Sequence, residues 1–375
     1  MKYEIAYLPG DGVGLEVLPQ ARKVLNRVAQ IQGFDLKWRD FPFGANYYFA
    51  KGEVLPPGAL DDLGAADILL LGAVGDPKVP PGPLEQELLL VLRFHFDQYL
   101  NLRPVQNYPN VPLPRPLAAQ EKLDLVVVRE NTEDFYMGLG GSFDSKTTSQ
   151  KLAAKRKLYD FTAEITGSFS PTTAGAFSLG LLTEPGIRRV AKKAFELART
   201  RGESQVQVAT KANALPQFYG FWDQIVKSEA TAYPDLKVVF LNVDNLCYQL
   251  PRDPSPFGVI LCPNLFGDIV SDLAAALAGG LGLAASGNIG DGLSMFEPVH
   301  GSAPDIAGTG KANPLAAILS GAMALDRLGQ TVGGQLVKDA VRSYLAKGHS
   351  LPIELGGQAL TETVGDLVVA ELKSA

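Results

Sequence analysis

The chain predicts an α/β fold with a largely parallel or mixed central sheet, and three observations carry this. Apolar, β-branched runs alternate with stretches of helical periodicity from the first residues onward. Those runs end in polar or glycine residues, as strands do where an open α/β sheet gathers its ligands. Hydrophobic residues at 46% and charged residues at 20% over 375 positions describe a globular chain long enough for about two domains.

YEIAYL opens the chain as a strand, and LPGDGVG at 8–14 turns it into a helix with apolar positions Val13, Val17, Ala21, Val24, Leu25 and Val28. Pro19 is expected near the first helical turn, where proline is tolerated. The glycine pattern invites comparison with a dinucleotide fingerprint, but Leu15 holds the place of its third glycine. A tight strand-to-helix turn is the better account, so any cofactor must be held elsewhere. FDLKWRDF predicts a second strand, and ADILLLGAVG at 66–75 a fully buried one. DLVVVREN at 124–131 repeats that form, followed by QVQVATKAN, KVVFLNVDN and FGVILCPN. Between 138 and 180 glycine, serine and threonine dominate, which suggests a flexible excursion or an arm reaching another subunit. No internal repeat is evident.

Composition narrows the function. The 34 basic residues against 40 acidic ones give a net charge of −6, which argues against a nucleic-acid partner or an anionic membrane surface. The most apolar stretch, Leu273 to Ala285, is broken by Gly279, Gly280 and Gly282 and falls short of the ~20 residues a spanning helix needs. No signal-peptide core precedes Asp11, and the two cysteines, Cys247 and Cys262, cannot form a disulfide framework. A soluble, cytoplasmic protein is expected. With only three histidines, general acids and bases must be sought among Lys, Tyr, Asp and Glu.

The polar strand ends supply candidates. Arg93, Arg103 and Arg129 offer planar, bidentate donors suited to an anionic substrate, or else ordinary paired surface charges. In NLFGDIVSDL, Asp268 and Asp272 stand at i and i+4 on one helix face, where a hard cation such as Mg²⁺ or Mn²⁺, or simply the helix dipole, could offset their repulsion. Asp244 is a candidate third ligand. Lys211, at the end of QVQVAT, could act as a base if burial destabilised its ammonium, and Tyr136 is a plausible proton donor or a packed ring. GDGLSMFEPVHGSAPDIAGTGKANPLAAIL, 290–319, is rich in turn and small residues that suit a nucleotide.

RENTEDFY, TKAN, NLFGDIVSDL and EPVHGSAPDIAGTGKANP, in that order and with PGDGVG ahead of them, resemble the isocitrate and isopropylmalate dehydrogenase family of β-decarboxylating dehydrogenases. The likeness runs from Leu8 to about Gly329 and implies a two-domain, isopropylmalate dehydrogenase-like fold that is not a standard Rossmann fold. It implies NAD-linked, Mg²⁺- or Mn²⁺-dependent oxidation and decarboxylation of a malate-type 2-hydroxy acid by a homodimer with shared active sites. Arg93, Arg103 and Arg129 would clamp carboxylates, with Leu89 and Leu90 as an apolar wall. Asp268 and Asp272 would hold the metal with Asp244 of the other subunit; Lys211, also crossing the interface, would take the hydroxyl proton, and Tyr136 would return one. The cofactor would lie against Glu297, His300, Gly301, Ser302, Ala303, Asp305, Ile306 and Asn313, with Asp305–Ile306 the NAD-type pair. The resemblance further implies a cofactor domain of 1–98 plus 255–375 and a substrate and dimerisation domain of 99–254.

The substrate is less defined. Isocitrate-specific relatives carry a serine six residues before the first arginine, where Glu87 stands here, so a third substrate carboxylate is disfavoured. FDQYLNLRP and RENTE look more like the D-malate and tartrate dehydrogenases, while Leu89 and Leu90 also suit 3-isopropylmalate. Isocitrate or another 3-substituted malate stays open. A non-catalytic binding or regulatory subunit is the alternative class, but such a chain would be expected to lack some of Lys211, Tyr136, Asp244, Asp268 and Asp272, all of which are present.

Overall fold

The computed structural model describes residues 1–372, apart from 81, 118–120, 122, 144–146 and 171–172. Its strands are β1 (Lys2–Gly10), β2 (Asp35–Asp40), β3 (Ile68–Ala73), β4 (Leu100–Gln106), β5 (Asp124–Glu130), β6 (Gly140–Phe143) and β7 (Thr147–Lys155). They continue with β8 (Asp160–Ser168), β9 (Gly175–Ser178), β10 (Gln205–Thr210), β11 (Lys237–Asn242), β12 (Val259–Cys262), β13 (Ala285–Ile289) and β14 (Ser294–Pro298). The longer helices that matter here are α1 (Gly14–Gln32), α2 (Glu184–Arg201), α3 (Phe218–Ala230), α4 (Val243–Gln249), α5 (Asn264–Leu277), α6 (Leu315–Arg327), α7 (Thr331–Lys347) and α8 (Thr361–Glu371).

Ten strands form one mixed sheet in the order β11-β10-β12-β5-β4-β13-β14-β3-β1-β2. The β11-β10-β12-β5 block is parallel throughout, and so is β14-β3-β1-β2. The two blocks run in opposite directions because β5-β4, β4-β13 and β13-β14 are all antiparallel. Register across this seam builds the site. Arg129 pairs with Asn101, Asn101 with Asn288, and Ser286 with Glu297. Paired residues share a face and alternate residues return to it, so Arg103 joins them on that side of the sheet.

Every strand expected from an apolar run is present, but β4, β13 and β14 were not anticipated. Their buried faces carry Asn101, Arg103, Ser286, Asn288 and Ser294, which break the hydrophobic pattern that marks a strand. The 138–180 stretch is not an unstructured excursion: it forms β6 to β9, with β7 and β8 a long antiparallel ladder. Residues 144–146 and 171–172 of it lie outside the described residues. Pro19 stands in the second turn of α1 rather than the first, where both it and Leu15 are exposed. Water can therefore satisfy the Leu15 carbonyl that has no amide partner at i+4.

Helices α1, α6, α7 and α8 bury one apolar core against the β1/β3 side, around Val17, Val24, Ile318 and Val341. The opposite face buries Leu8, Leu69, Leu71 and Met295 against residues 43–92. A third core holds Val126, Val128, Val208 and Ile260 with α2, α3 and α5. By packing, β12 and α5 sit with this third core rather than with residues 1–98. No helix among the described residues is long and apolar enough to cross a membrane.

Candidate active site

Asp268 is the hub of the site. Its Oδ1 accepts from Arg129 Nη1 at 2.5 Å and lies 3.2 Å from Arg103 Nη2, and its Oδ2 accepts from the Tyr136 hydroxyl at 2.6 Å. One helical turn on, Asp272 accepts from Arg103 Nη1 at 3.3 Å. Arg129 is 1% exposed, and Asn264 Oδ1 receives its Nε and Nη2 at 3.0 and 2.7 Å. Gly267 makes this approach possible: a Cβ there would stand 2.6 Å from Arg129 Cγ. Arg93 is also buried, with Nη2 3.3 Å from Glu297 Oε1 and, among the described residues, no hydrogen-bond partner for Nε.

Electrostatics fixes the charge states. Burial raises the Asp268 carboxyl, but the Arg129 and Arg103 charges and the Tyr136 hydrogen bond outweigh it and hold the group below its ordinary range. Asp272 is raised by burial, which Arg103 offsets only in part. Burial and the neighbouring Arg103 charge pull Arg129 down to about 10. The Tyr136 phenol is raised by burial and by its bond to Asp268, so it stays a proton donor at neutral pH. Its ring also lies against the Arg129 guanidinium, 5.0 Å from centroid to Cζ.

The apolar wall differs from expectation because Glu85–Leu90 is a π-helical turn. Its wider spacing changes which side chains share a face. Leu90 and Gln86 line a 490 Å³ pocket with Phe135, Tyr136 and Leu139. Leu89 packs towards the core beside β3 instead, and Glu87 lines a separate groove with Glu53, Leu55 and His95. Glu87, expected to meet a substrate carboxylate, is thus not among the described residues that line the Tyr136 pocket, and the neutral Gln86 lines it instead.

Lys211 and Asp244 form their own ion pair, at the end of β10 and the start of α4. No hydrogen bond or ion pair among the described residues joins them to Asp268. Lys211 is thus not an isolated ammonium in an apolar pocket, and its bond holds the Asp244 carboxyl below its usual value.

The glycine turn and the 300–313 loop belong together. Val13 N–H donates to Ser302 O at 2.9 Å, and a Cβ on Gly12, at φ +52, would reach within 2.1 Å of that oxygen. Glu16 accepts from the Gly308 and Gly310 amides at 2.5 and 2.8 Å, and Asp11 from those of Ala45 and Gly75 at 2.7 and 2.9 Å. A 520 Å³ cleft lies between this loop and the end of β3, lined by Gly75, Glu85, Gly301, Ser302 and Ala303. Asp305 is exposed, whereas Ile306 packs against the α6 core. Burial lowers the His300 imidazole from its ordinary value, and its Nδ1 lies 3.0 Å from Gly301 O. Asn313 is buried; its amide donates to Glu354 at 2.9 Å and its oxygen accepts from Leu315 N–H at 3.1 Å.

Asn101, Asn131, Ser286 and Asn288 escaped sequence reasoning. They form a buried hydrogen-bonded layer beneath the arginines; Asn131 was visible only as part of a polar strand end, and the other three only as polarity inside short strands. On the other face of β4, Leu102 helps line a 270 Å³ cavity whose charged rim is paired internally, Arg201 to Asp124 and Lys338 to Asp326.

Comparison with known proteins is consistent across the chain. The pattern of the isocitrate/isopropylmalate dehydrogenase family matches residues 4–368. A 3-isopropylmalate dehydrogenase of Streptomyces coelicolor is 42% identical over 371 residues, covering 98% of each chain. One from Mycobacterium avium is 43% identical over 374 residues, covering 98% of this chain and all of that one (100%). Among solved structures, isocitrate dehydrogenase from Methylococcus capsulatus aligns over 99% of both chains with a TM-score of 0.85 at 31% identity. A β-decarboxylating dehydrogenase from Thermococcus kodakarensis covers 99% of this chain and 96% of its own, with a TM-score of 0.74 at 36% identity.

Proposed function

Because the chain belongs to the isocitrate/isopropylmalate dehydrogenase family, we propose that its substrate is a 3-alkylmalate, with 3-isopropylmalate the first candidate. The enzyme is an NAD-dependent decarboxylating dehydrogenase that acts on a malate-type 2-hydroxy acid and uses a divalent metal such as Mg²⁺ or Mn²⁺. The pocket beside Tyr136 carries the choice of substrate. Leu90, Phe135 and Leu139 give it apolar walls, Gln86 is neutral, and none of its lining residues is charged. An alkyl group at C3 fills such a space, whereas a third carboxylate would be buried without a cation. D-Malate leaves the pocket empty, and tartrate places a hydroxyl in it.

The donor set fits a hard divalent cation. Asp268 and Asp272 supply carboxylate oxygens one turn apart, and no cluster of three or more acidic, histidine or cysteine ligands forms among the described residues. A second copy would complete it through Asp244. Bound there, a divalent metal would supply Lewis-acid polarisation of the substrate's hydroxyl and carboxylate, and NAD would supply a hydride acceptor. Arg93, Arg103 and Arg129 orient the carboxylates bidentately, exchanging part of their present pairing with Asp268, Asp272 and Glu297. Lys211 of the second copy, whose ion pair with Asp244 would open as that carboxylate turned to a metal, would take the hydroxyl proton as a neutral amine. After CO₂ leaves, Tyr136 delivers a proton to C3. Gly301, Ser302, Ala303 and Pro304 line the cleft read here as the cofactor's, and Glu297, His300, Asp305 and Ile306 are assigned to it with them, Asp305 as the acceptor from ribose hydroxyls.

The same features support a homodimer. Lys211 and Asp244 stand apart from the cluster they serve, and Ile269 on α5 and Tyr248 on α4 are 54% and 60% exposed. The unpaired thiols of Cys247 and Cys262 suit the cytoplasm. Assaying 3-isopropylmalate, D-malate, tartrate and isocitrate side by side with NAD and Mn²⁺ tests the substrate. The highest kcat/KM should fall to 3-isopropylmalate; preference for isocitrate or tartrate would overturn the pocket argument.

A further inference from the structure

We propose that Asn288 is a positioning residue that sets Arg93, Arg103 and Glu297 relative to one another, and so couples the grip on the hydroxy acid to the cofactor side of the cleft. The proposal rests on the assignment of those residues given above. Asn288 lies on β13 in the antiparallel seam and is 0% exposed. Its Oδ1 accepts from Asn101 Nδ2 at 2.9 Å and from Asn131 Nδ2 at 3.0 Å. Its Nδ2 donates to Glu297 Oε1 at 2.7 Å, the same oxygen that receives Arg93 Nη2. Asn101 in turn accepts Arg103 Nε on its Oδ1 at 3.0 Å.

The relay has a polarity that its ends impose. A guanidinium only donates, so the Asn101 oxygen must face Arg103 and its amide must face Asn288. That fixes the Asn288 oxygen towards Asn101 and its amide towards Glu297, which as a carboxylate only accepts. Each amide orientation is thus dictated by the arginine at one end and the acid at the other. A third strand enters through Asn131, which follows β5 and also donates to Gln98 O at 2.8 Å. Asn101 and Asn288 have both ends of their amides bonded, while Asn131 Oδ1 is buried without a hydrogen-bond partner among the described residues, and loss of a bonded member disturbs such a network widely. The small side chain of Ser286, which receives the second Asn101 proton at 2.9 Å, completes the layer.

The polarity gives a test that mere structural support would not pass. In Asn288→Asp, nearly isosteric, the donor to Glu297 is replaced by a carboxylate. At pH 8 the full-length enzyme should lose at least about tenfold in kcat/KM for 3-isopropylmalate, with a parallel rise in KM for NAD and in the Kd for NADH read by fluorescence. As pH falls towards 6, a proton shared between the introduced carboxyl and Glu297 restores a donor, so activity relative to wild type should recover. Asn288→Ala should show the loss without the recovery. Asn101→Ala cuts the relay on the substrate side only and should raise KM for the hydroxy acid at least about fivefold while KM for NAD holds. It keeps the proposal testable if the Asn288 variants fail to fold. Asn288 variants within about twofold of wild type, a deficit in Asn288→Asp that is equal at both pH values, or Asn101→Ala with both KM values unchanged would each overturn the proposal. Wild-type enzyme inactive on 3-isopropylmalate would instead defeat the substrate assignment, and the NADH titrations of the Asn288 variants would still read the relay.

Discussion

The Tyr136 hydroxyl donates to Asp268 Oδ2 at 2.6 Å, and the same carboxylate is held through Oδ1 by Arg129 and Arg103. The proposed proton donor is thereby fixed against the acid proposed to bind the metal. Tyr136→Phe keeps the ring that packs on Arg129 and removes only the hydroxyl. Steady-state kinetics should show kcat down by about 10²–10⁴ with KM for the hydroxy acid little changed, the mark of a lost general acid.

Sharing of the site between two copies is tested by complementation. Lys211→Ala and Asp268→Asn should each be nearly inactive alone. Unfolded and refolded together, they should regain activity, because each mixed dimer contains one site with both native residues. Inactivity of the mixture, with dimers confirmed by native mass spectrometry, would place Lys211 and Asp268 in one chain's site.

Gly267→Ala brings a methyl group within 2.6 Å of Arg129 Cγ and 2.7 Å of its Cβ, the part of the side chain least able to move. Overpacking there should cost about 1–3 kcal/mol and outweigh the roughly 1 kcal/mol that alanine gains over glycine within a helix. Thermal denaturation should show a lower Tm, and kinetics a raised KM as Arg129 shifts.

Glu130, fully buried beside Arg129 in sequence, is raised by burial and by Glu133 from 4.5 to about 7, although Thr132 and the Glu133 amide donate to it. A folded-state pKa above the unfolded value means that the native state binds the extra proton. Its contribution to stability is full below about 4.5 and is lost as pH rises through about 7. Urea denaturation should therefore find Glu130→Gln gaining on wild type between pH 5 and pH 8.

How far the sequence announced all this depends on what each element buries. Strands such as β3 and β5 carry unbroken apolar runs and could be read directly. β4, β13 and β14 could not, because the seam spends its inner positions on Asn101, Ser286 and Asn288, whose burial is tolerable only with partners distant in sequence. Among site residues, Arg129, Asp268 and Asp272 stood out by chemistry and spacing. The π-helical turn was invisible, since one added residue per turn alters the facing of Glu87, Leu89 and Leu90 without altering composition. The opening glycine stretch was legible as a tight strand-to-helix turn, with Gly10 and Gly12 at positive φ between β1 and α1. Its role, packing under Ser302 and tying Gly308 and Gly310 through Glu16, required the fold.

The most direct measurement is the stoichiometry of NADH and CO₂ released from 3-isopropylmalate by the purified enzyme with NAD and Mn²⁺, run beside Asp268→Asn and with a chelator. Equal amounts of NADH and CO₂, both abolished by chelator and by Asp268→Asn, are predicted. NADH formed undiminished in the presence of chelator, or without CO₂, would contradict the account.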